Sequence, residues 1–107
     1  MSYGLSPEHI TCIKTIFISY SEIEEVVLYG SRAKGNYKPN SDIDLTIKVN
    51  KITPDLLNLI SIQLDDLLLP YTFDISLFDQ IKNDDILDHI NRVGIVFYKN
   101  NNNSLLK

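Results

Sequence analysis

Asp42 and Asp44 stand two residues apart in Ser41-Asp42-Ile43-Asp44-Leu45, and a third aspartate stands in Phe73-Asp74-Ile75. In an extended chain residues i and i+2 share a face, so the first two carboxylates can grip one metal pair. A third from a neighbouring strand completes the cage. Magnesium takes a few hard carboxylate oxygens together with substrate phosphates, and two such ions about 3.5 to 4 Å apart clamp the attacking and leaving oxygens of an in-line displacement. Upstream lies Leu28-Tyr29-Gly30-Ser31-Arg32-Ala33-Lys34-Gly35. Its Gly30-Ser31 pair closes an apolar run and offers a triphosphate a backbone open to close approach, amides at a helix start and a hydroxyl donor. These residue types fit metal-dependent phosphoryl or nucleotidyl transfer.

Two rival motifs fail on their residues. The Walker pattern is followed from Gly30 to Gly35 and breaks at Asn36 and Tyr37, and the EF-hand pattern breaks at Thr46 and Ile47. A lone Asp-x-Asp is more often a solvated strand face than a metal site; Gly-Ser at a set distance and Asp74 on the matching face reverse that balance. Arg32, Lys34 and Lys38 could neutralise triphosphate charge or form a solvated turn, and Arg32 is the best placed of the three. Tyr29 and Tyr37 read first as packing, although either could stack on a base. His9 and His89 are far from the motif in sequence and read as surface or partly buried side chains. Cys12 reads as core filler, and Asp84, Asp85 and Asp88 as charges at a helix N-terminus.

The elements that must position these residues follow from patterning. Ser6-Pro7-Glu8 predicts a helix start, with Ile10, Ile13, Phe17 and Tyr20 on one face. Val26, Val27 and Leu28 predict a buried strand ended by Gly30, and Ser31 to Ser41 a loop or brief helix. Residues 42 to 49 alternate, with Ile43, Leu45, Ile47 and Val49 opposite Asp42, Asp44, Thr46 and Lys48. Thr53-Pro54-Asp55 predicts the cap of a core helix whose stripe runs from Leu56 to Leu68, before Pro70. Alternation returns over 71 to 77, Asn83 caps a helix through Arg92, Gly94 ends it, and Ile95 to Tyr98 form a last strand. The expected class is α/β (α+β), a small mixed sheet with helices packed on one face. One domain is expected over 1–99, with a disordered polar tail over 100–107.

Composition narrows the function. The 107-residue chain carries a formal net charge of -4, without the basic stripe of a nucleic-acid binder, so direct nucleic-acid binding is not expected. One cysteine excludes an internal disulfide and a cysteine-cluster zinc site, and neither a signal peptide nor a membrane-length apolar run is read. A cytoplasmic protein without membrane contact is expected.

Gly30-Ser31, ten intervening residues and Asp42-Ile43-Asp44 resemble the signature of the polymerase-beta-type nucleotidyltransferase superfamily. The short chain, with Asp74 on the following core strand, resembles its minimal nucleotidyltransferase (MNT) group. The likeness spans residues 6 to 98 in element order, with specific motifs at 28 to 45 and 73 to 75. It implies the polymerase-beta-like fold, Gly30 and Ser31 on the triphosphate of ATP, and Asp42, Asp44 and Asp74 as catalytic ligands of two magnesium ions. Arg32 joins the nucleotide-binding set on its charge. Whether Asp74 also accepts the proton of the attacking hydroxyl stays open, since burial beside Tyr71 and Phe73 would raise its pKa and metal would lower it. With no room for an acceptor-binding domain, the resemblance implies a separate helical partner of the HEPN type. This chain is then the antitoxin in a hetero-oligomer and transfers AMP from ATP to a tyrosine hydroxyl of that toxin. Two alternatives stay open: a binding subunit that neutralises the partner without catalysis, and a stand-alone transferase acting on a small hydroxylated molecule such as an aminoglycoside.

Overall fold

The computed structural model describes residues 3–100. Four strands form one sheet: β1 (Ile23–Tyr29), β2 (Ile43–Val49), β3 (Phe73–Leu77) and β4 (Ile95–Lys99), in the order β3-β2-β1-β4. β1 pairs antiparallel with both β2 and β4, while β2 and β3 run parallel, joined through α3 (Leu56–Asp66). The other helices are α1 (Pro7–Ile18), a single-turn α2 (Gly30–Lys34) and α4 (Asp84–Val93).

Alternation decides which face is buried. Ile43, Leu45 and Ile47 of β2 are fully buried with Val26 and Leu28 of β1, and α1 and α3 add Ile13, Phe17, Ile60 and Leu64 to the same core. At roughly 25 cal/mol per Å2 of apolar surface, each large side chain in that layer contributes about 1.5–3 kcal/mol over its exposed state. Val27 and Ile90 are buried outside this cluster, and the end of α4 at Gly94 lies against the Val27 side chain. α4 therefore packs against β1 and α2, apart from the main helical layer.

Local signals work as capping physics predicts. The Ser6 hydroxyl accepts from the His9 amide with Pro7 in the first turn, and the Asn83 side chain accepts from the amides of Asp85 and Ile86. The core helix differs from its expected bounds. Asp55, not Thr53, is its N-cap, in a left-handed conformation (φ 62°) without a side-chain cap bond. The helix stops at Asp66, and Leu68 is turned out at 89% exposure with φ 55°. Leu64 is the last buried residue of the helix, and Leu67 and Leu69 pack partly buried against the core in the turn that leads to Pro70. Cys12, expected in the core, is exposed on α1.

Of the polar tail, residues 101–107 lie outside the described part. Asn100 is held to β1, its amide donating to the Glu24 carbonyl at 2.8 Å. No helix among the described residues is long and apolar enough to cross a membrane.

Candidate active site

The sheet register sets the site. Tyr29 of β1 is paired with Asp44 of β2, and Asp44 with Asp74 of β3, giving a transverse row across three strands. One step along, Thr46 pairs with Ser76, whose hydroxyl donates to the buried Thr46 hydroxyl at 3.1 Å. This face is polar because it is the alternate of Ile43, Leu45 and Ile47. Asp42 is exposed just before β2, where the Ile43 amide donates to the Thr72 carbonyl at 2.8 Å. Asp74 is exposed on β3, an edge strand.

Gly30 brings the loop onto the same spot. Its φ is +74°, and a Cβ there would collide with the Asp44 carboxylate, so only glycine lets this backbone lie so close. Ser31 follows within α2, and Gly35 (φ 92°) closes that turn with its amide on the Ser31 carbonyl.

The electrostatics reflect the crowding of acids. The Asp44 carboxyl is pushed up to about 6, first by desolvation, then by the charges of Asp74 and Asp42, with Arg32 pulling it partly back. The Tyr29 hydroxyl is raised above its usual range by burial and by Asp74 and Asp44, while its hydrogen bond with Ser76 opposes the shift. As the side chains stand, no three His, Cys, Asp or Glu groups among the described residues close around one metal-sized point. The structure thus brings Asp44, Asp74 and Gly30 together, with Ser31 adjoining and Asp42 at the rim.

Arg32 is placed otherwise than its expected phosphate role. It is 2% exposed and donates to the carbonyls of Ser41 (2.9 and 3.2 Å), Tyr3 (2.9 Å) and Pro39 (3.5 Å). The rings of Tyr37 and Tyr71 lie 5.3 and 5.4 Å from the guanidinium carbon. These bonds pin the loop that leads into Asp42, a structural use of the charge. Lys34 and Lys38 are exposed.

Two side chains matter more than their sequence context suggests. His89 of α4 accepts the Gly30 amide proton on Nε2 at 3.0 Å, and its ring meets that of Tyr29 edge-on with centroids 6.2 Å apart. Tyr29, read first as packing, shares the acidic row. Tyr29 stands beside Gly30 in the motif itself, whereas nothing near His89 in the sequence marks it. His9 is partly buried, as expected, with its Nδ1 2.8 Å from the Tyr71 hydroxyl.

The family model for polymerase beta nucleotidyltransferases matches residues 11–103. The chain belongs to this family. A search of curated proteins by sequence finds no match. Among solved structures, this nucleotidyltransferase superposes on a chain of a toxin-antitoxin complex with AMP-PNP at TM-score 0.67 and 16% identity, covering 95% of this chain and 80% of the other. It also matches a chain of the MntA-HepT toxin-antitoxin complex (TM-score 0.65, 13% identity, 94% and 79% covered). A third match is a chain of the complex of tri-AMPylated Shewanella oneidensis HEPN toxin with its MNT antitoxin (TM-score 0.63, 12% identity, 92% and 76% covered). At these identities the likeness is one of fold, and the mixed sheet with four helices is the nucleotidyltransferase fold.

Proposed function

We propose that this nucleotidyltransferase moves AMP from ATP to a hydroxyl, a tyrosine in the first instance, on a HEPN-type protein, and acts as that toxin's antitoxin in the cytoplasm. The observation that carries the reading is the register Asp44↔Asp74 beside the close approach of Gly30 to Asp44. Structures of the same fold described as toxin-antitoxin complexes, one with AMP-PNP and one with an AMPylated HEPN toxin, support the choice of nucleotide and partner.

The donor set fits magnesium: hard oxygens only, on one sheet face, with the Asp44 carboxyl raised to about 6 by burial first and then by repulsion from Asp74 and Asp42, a cost of its charge that a divalent cation offsets. Asp42, Asp44 and Asp74 would hold the ions, whose chemistry is to neutralise the triphosphate and polarise its α-phosphate. Gly30 and Ser31 seat the phosphates through close backbone approach and one hydroxyl donor. The acceptor oxygen forms a bond to the α-phosphorus, the bond to the β-phosphate oxygen breaks, and pyrophosphate leaves with the electron pair. The hydroxyl proton passes to a base on the open side, where Asp74 stands exposed on an edge strand that a protein hydroxyl can reach.

The test is to incubate the chain with magnesium, labelled ATP and the HEPN protein encoded beside it. Label should appear on the partner with the wild-type chain and not with the folded Asp42→Asn, Asp44→Asn double variant, which should also lose metal-dependent ATP binding. Equal ATP affinity in that variant would remove the metal assignment.

A further inference from the structure

The Gly30 amide is already committed. Its proton points to His89 Nε2 at 3.0 Å, while the Asp44 carboxylate occupies the place where a Cβ would stand. Gly30 is therefore held from two sides by residues far away in the chain, one on α4 and one on β2. For Nε2 to accept, the imidazole must be neutral with its proton on Nδ1. The ring is partly buried and its edge-on contact with Tyr29 fixes its plane. α4 is carried to this position by α2 and β1, against which it packs, with Ile90, the next residue, buried.

We infer that His89 is a positioning residue of the nucleotide seat: by accepting the Gly30 amide it fixes the peptide that brings the phosphate loop against Asp44. This rests on the proposed nucleotidyl transfer at that site. It also divides the labour of the loop, because an amide bonded to His89 is not free to donate to a phosphate. Ser31 is left as the donor, and Gly30 serves through its shape. The main consequence is for nucleotide affinity, since a loosened Gly30 peptide lets the seat open before ATP arrives. With the acceptor gone and the amide left unpaired, the expected loss of affinity is about tenfold.

The experiment compares His89→Leu, which keeps bulk and removes the acceptor, with His89→Gln, whose side-chain oxygen reaches about as far as Nε2. For His89→Leu, KM for ATP and the MgATP dissociation constant should rise about tenfold, with kcat at saturating ATP within about threefold of wild type. His89→Gln should restore both. A purely structural role would lower the active fraction, and so kcat, at unchanged KM. In the wild-type chain, the amide resonance of Gly30 should retain its coupling to the imidazole nitrogen when non-hydrolysable MgATP is bound. Loss of that coupling on binding, or wild-type affinity in a folded His89→Leu, overturns the assignment while transfer by the wild-type chain stands. A wild-type chain that binds no MgATP overturns the underlying reading and this inference with it.

Discussion

The two faces of β2 are built from one seven-residue strand and do opposite things. Ile43, Leu45 and Ile47 are fully buried under α1 and α3. Asp44, one residue removed, faces Asp74 and lies against Gly30, with its carboxyl raised to about 6. The apolar face holds the register; the polar face spends stability on gathering like charges. The pleat couples them, because a slip of one residue would bury Asp44 and expose Leu45. The division teaches that substitutions on the two faces should separate folding from chemistry.

Asp44→Asn should break the polar face most severely. Losing a charged ligand worth several kcal/mol of transition-state stabilisation should lower AMP transfer by about 10³-fold. The same variant should melt higher than wild type in metal-free buffer at neutral pH, since it removes an ionised carboxylate that burial and two neighbours disfavour. Transfer assays and calorimetry on one preparation check both signs. Leu45→Ala sharpens the contrast from the other side. Emptying a fully buried position should cost about 2–5 kcal/mol, read as a lower denaturant midpoint, with the activity per folded molecule kept.

Ser31→Ala should have a smaller effect confined to chemistry. One hydrogen bond to a charged group is worth about 1.5–3 kcal/mol, so transfer should fall about tenfold to a hundredfold at an unchanged melting temperature. Wild-type turnover would take Ser31 out of the seat.

The smallest effect is in pH. The folded-state pKa of Asp44, about 6, lies above its ordinary 3.8, so the folded chain holds this proton more tightly than the unfolded chain. Its contribution to stability is full below about 4 and is lost as pH rises through about 6. In metal-free wild type the melting temperature should decline over that window, and the decline should flatten in Asp44→Asn. Because ligands must be deprotonated, magnesium binding should weaken as pH falls through the same range.

Much of this was legible in the sequence because it is local or periodic. The alternation over 42–49 predicted the buried and polar faces of β2. Gly-Ser followed by Asp-x-Asp identified the family, and the signals at Ser6 and Asn83 fixed two helix starts. What escaped depends on contacts between distant segments. His89 reaches Gly30 across 59 positions, and only the packing of α4 on α2 puts them together. Arg32 carries a charge that suits phosphate equally well, and its real partners are carbonyls of Tyr3, Pro39 and Ser41 that leave no mark on side-chain patterning. Leu68 fits the apolar stripe by period, yet falls beyond Asp66, where the helix has already ended. Cys12 shows the same limit: its type favours burial, and its side of α1 decided otherwise.

The central claim, that the row of carboxylates performs transfer to a protein hydroxyl, is tested most directly by the mass of the partner after co-expression with wild type or Asp74→Asn. Asp74 is exposed on its edge strand, so the asparagine keeps shape and packing while removing a charge and a proton acceptor. The HEPN partner should co-purify with both chains, gain AMP mass only with wild type, and regain toxicity beside Asp74→Asn. A partner that stays unmodified with the wild-type chain, or cells equally protected by Asp74→Asn with no AMP on the toxin, would contradict the account and make this nucleotidyltransferase domain a binding subunit.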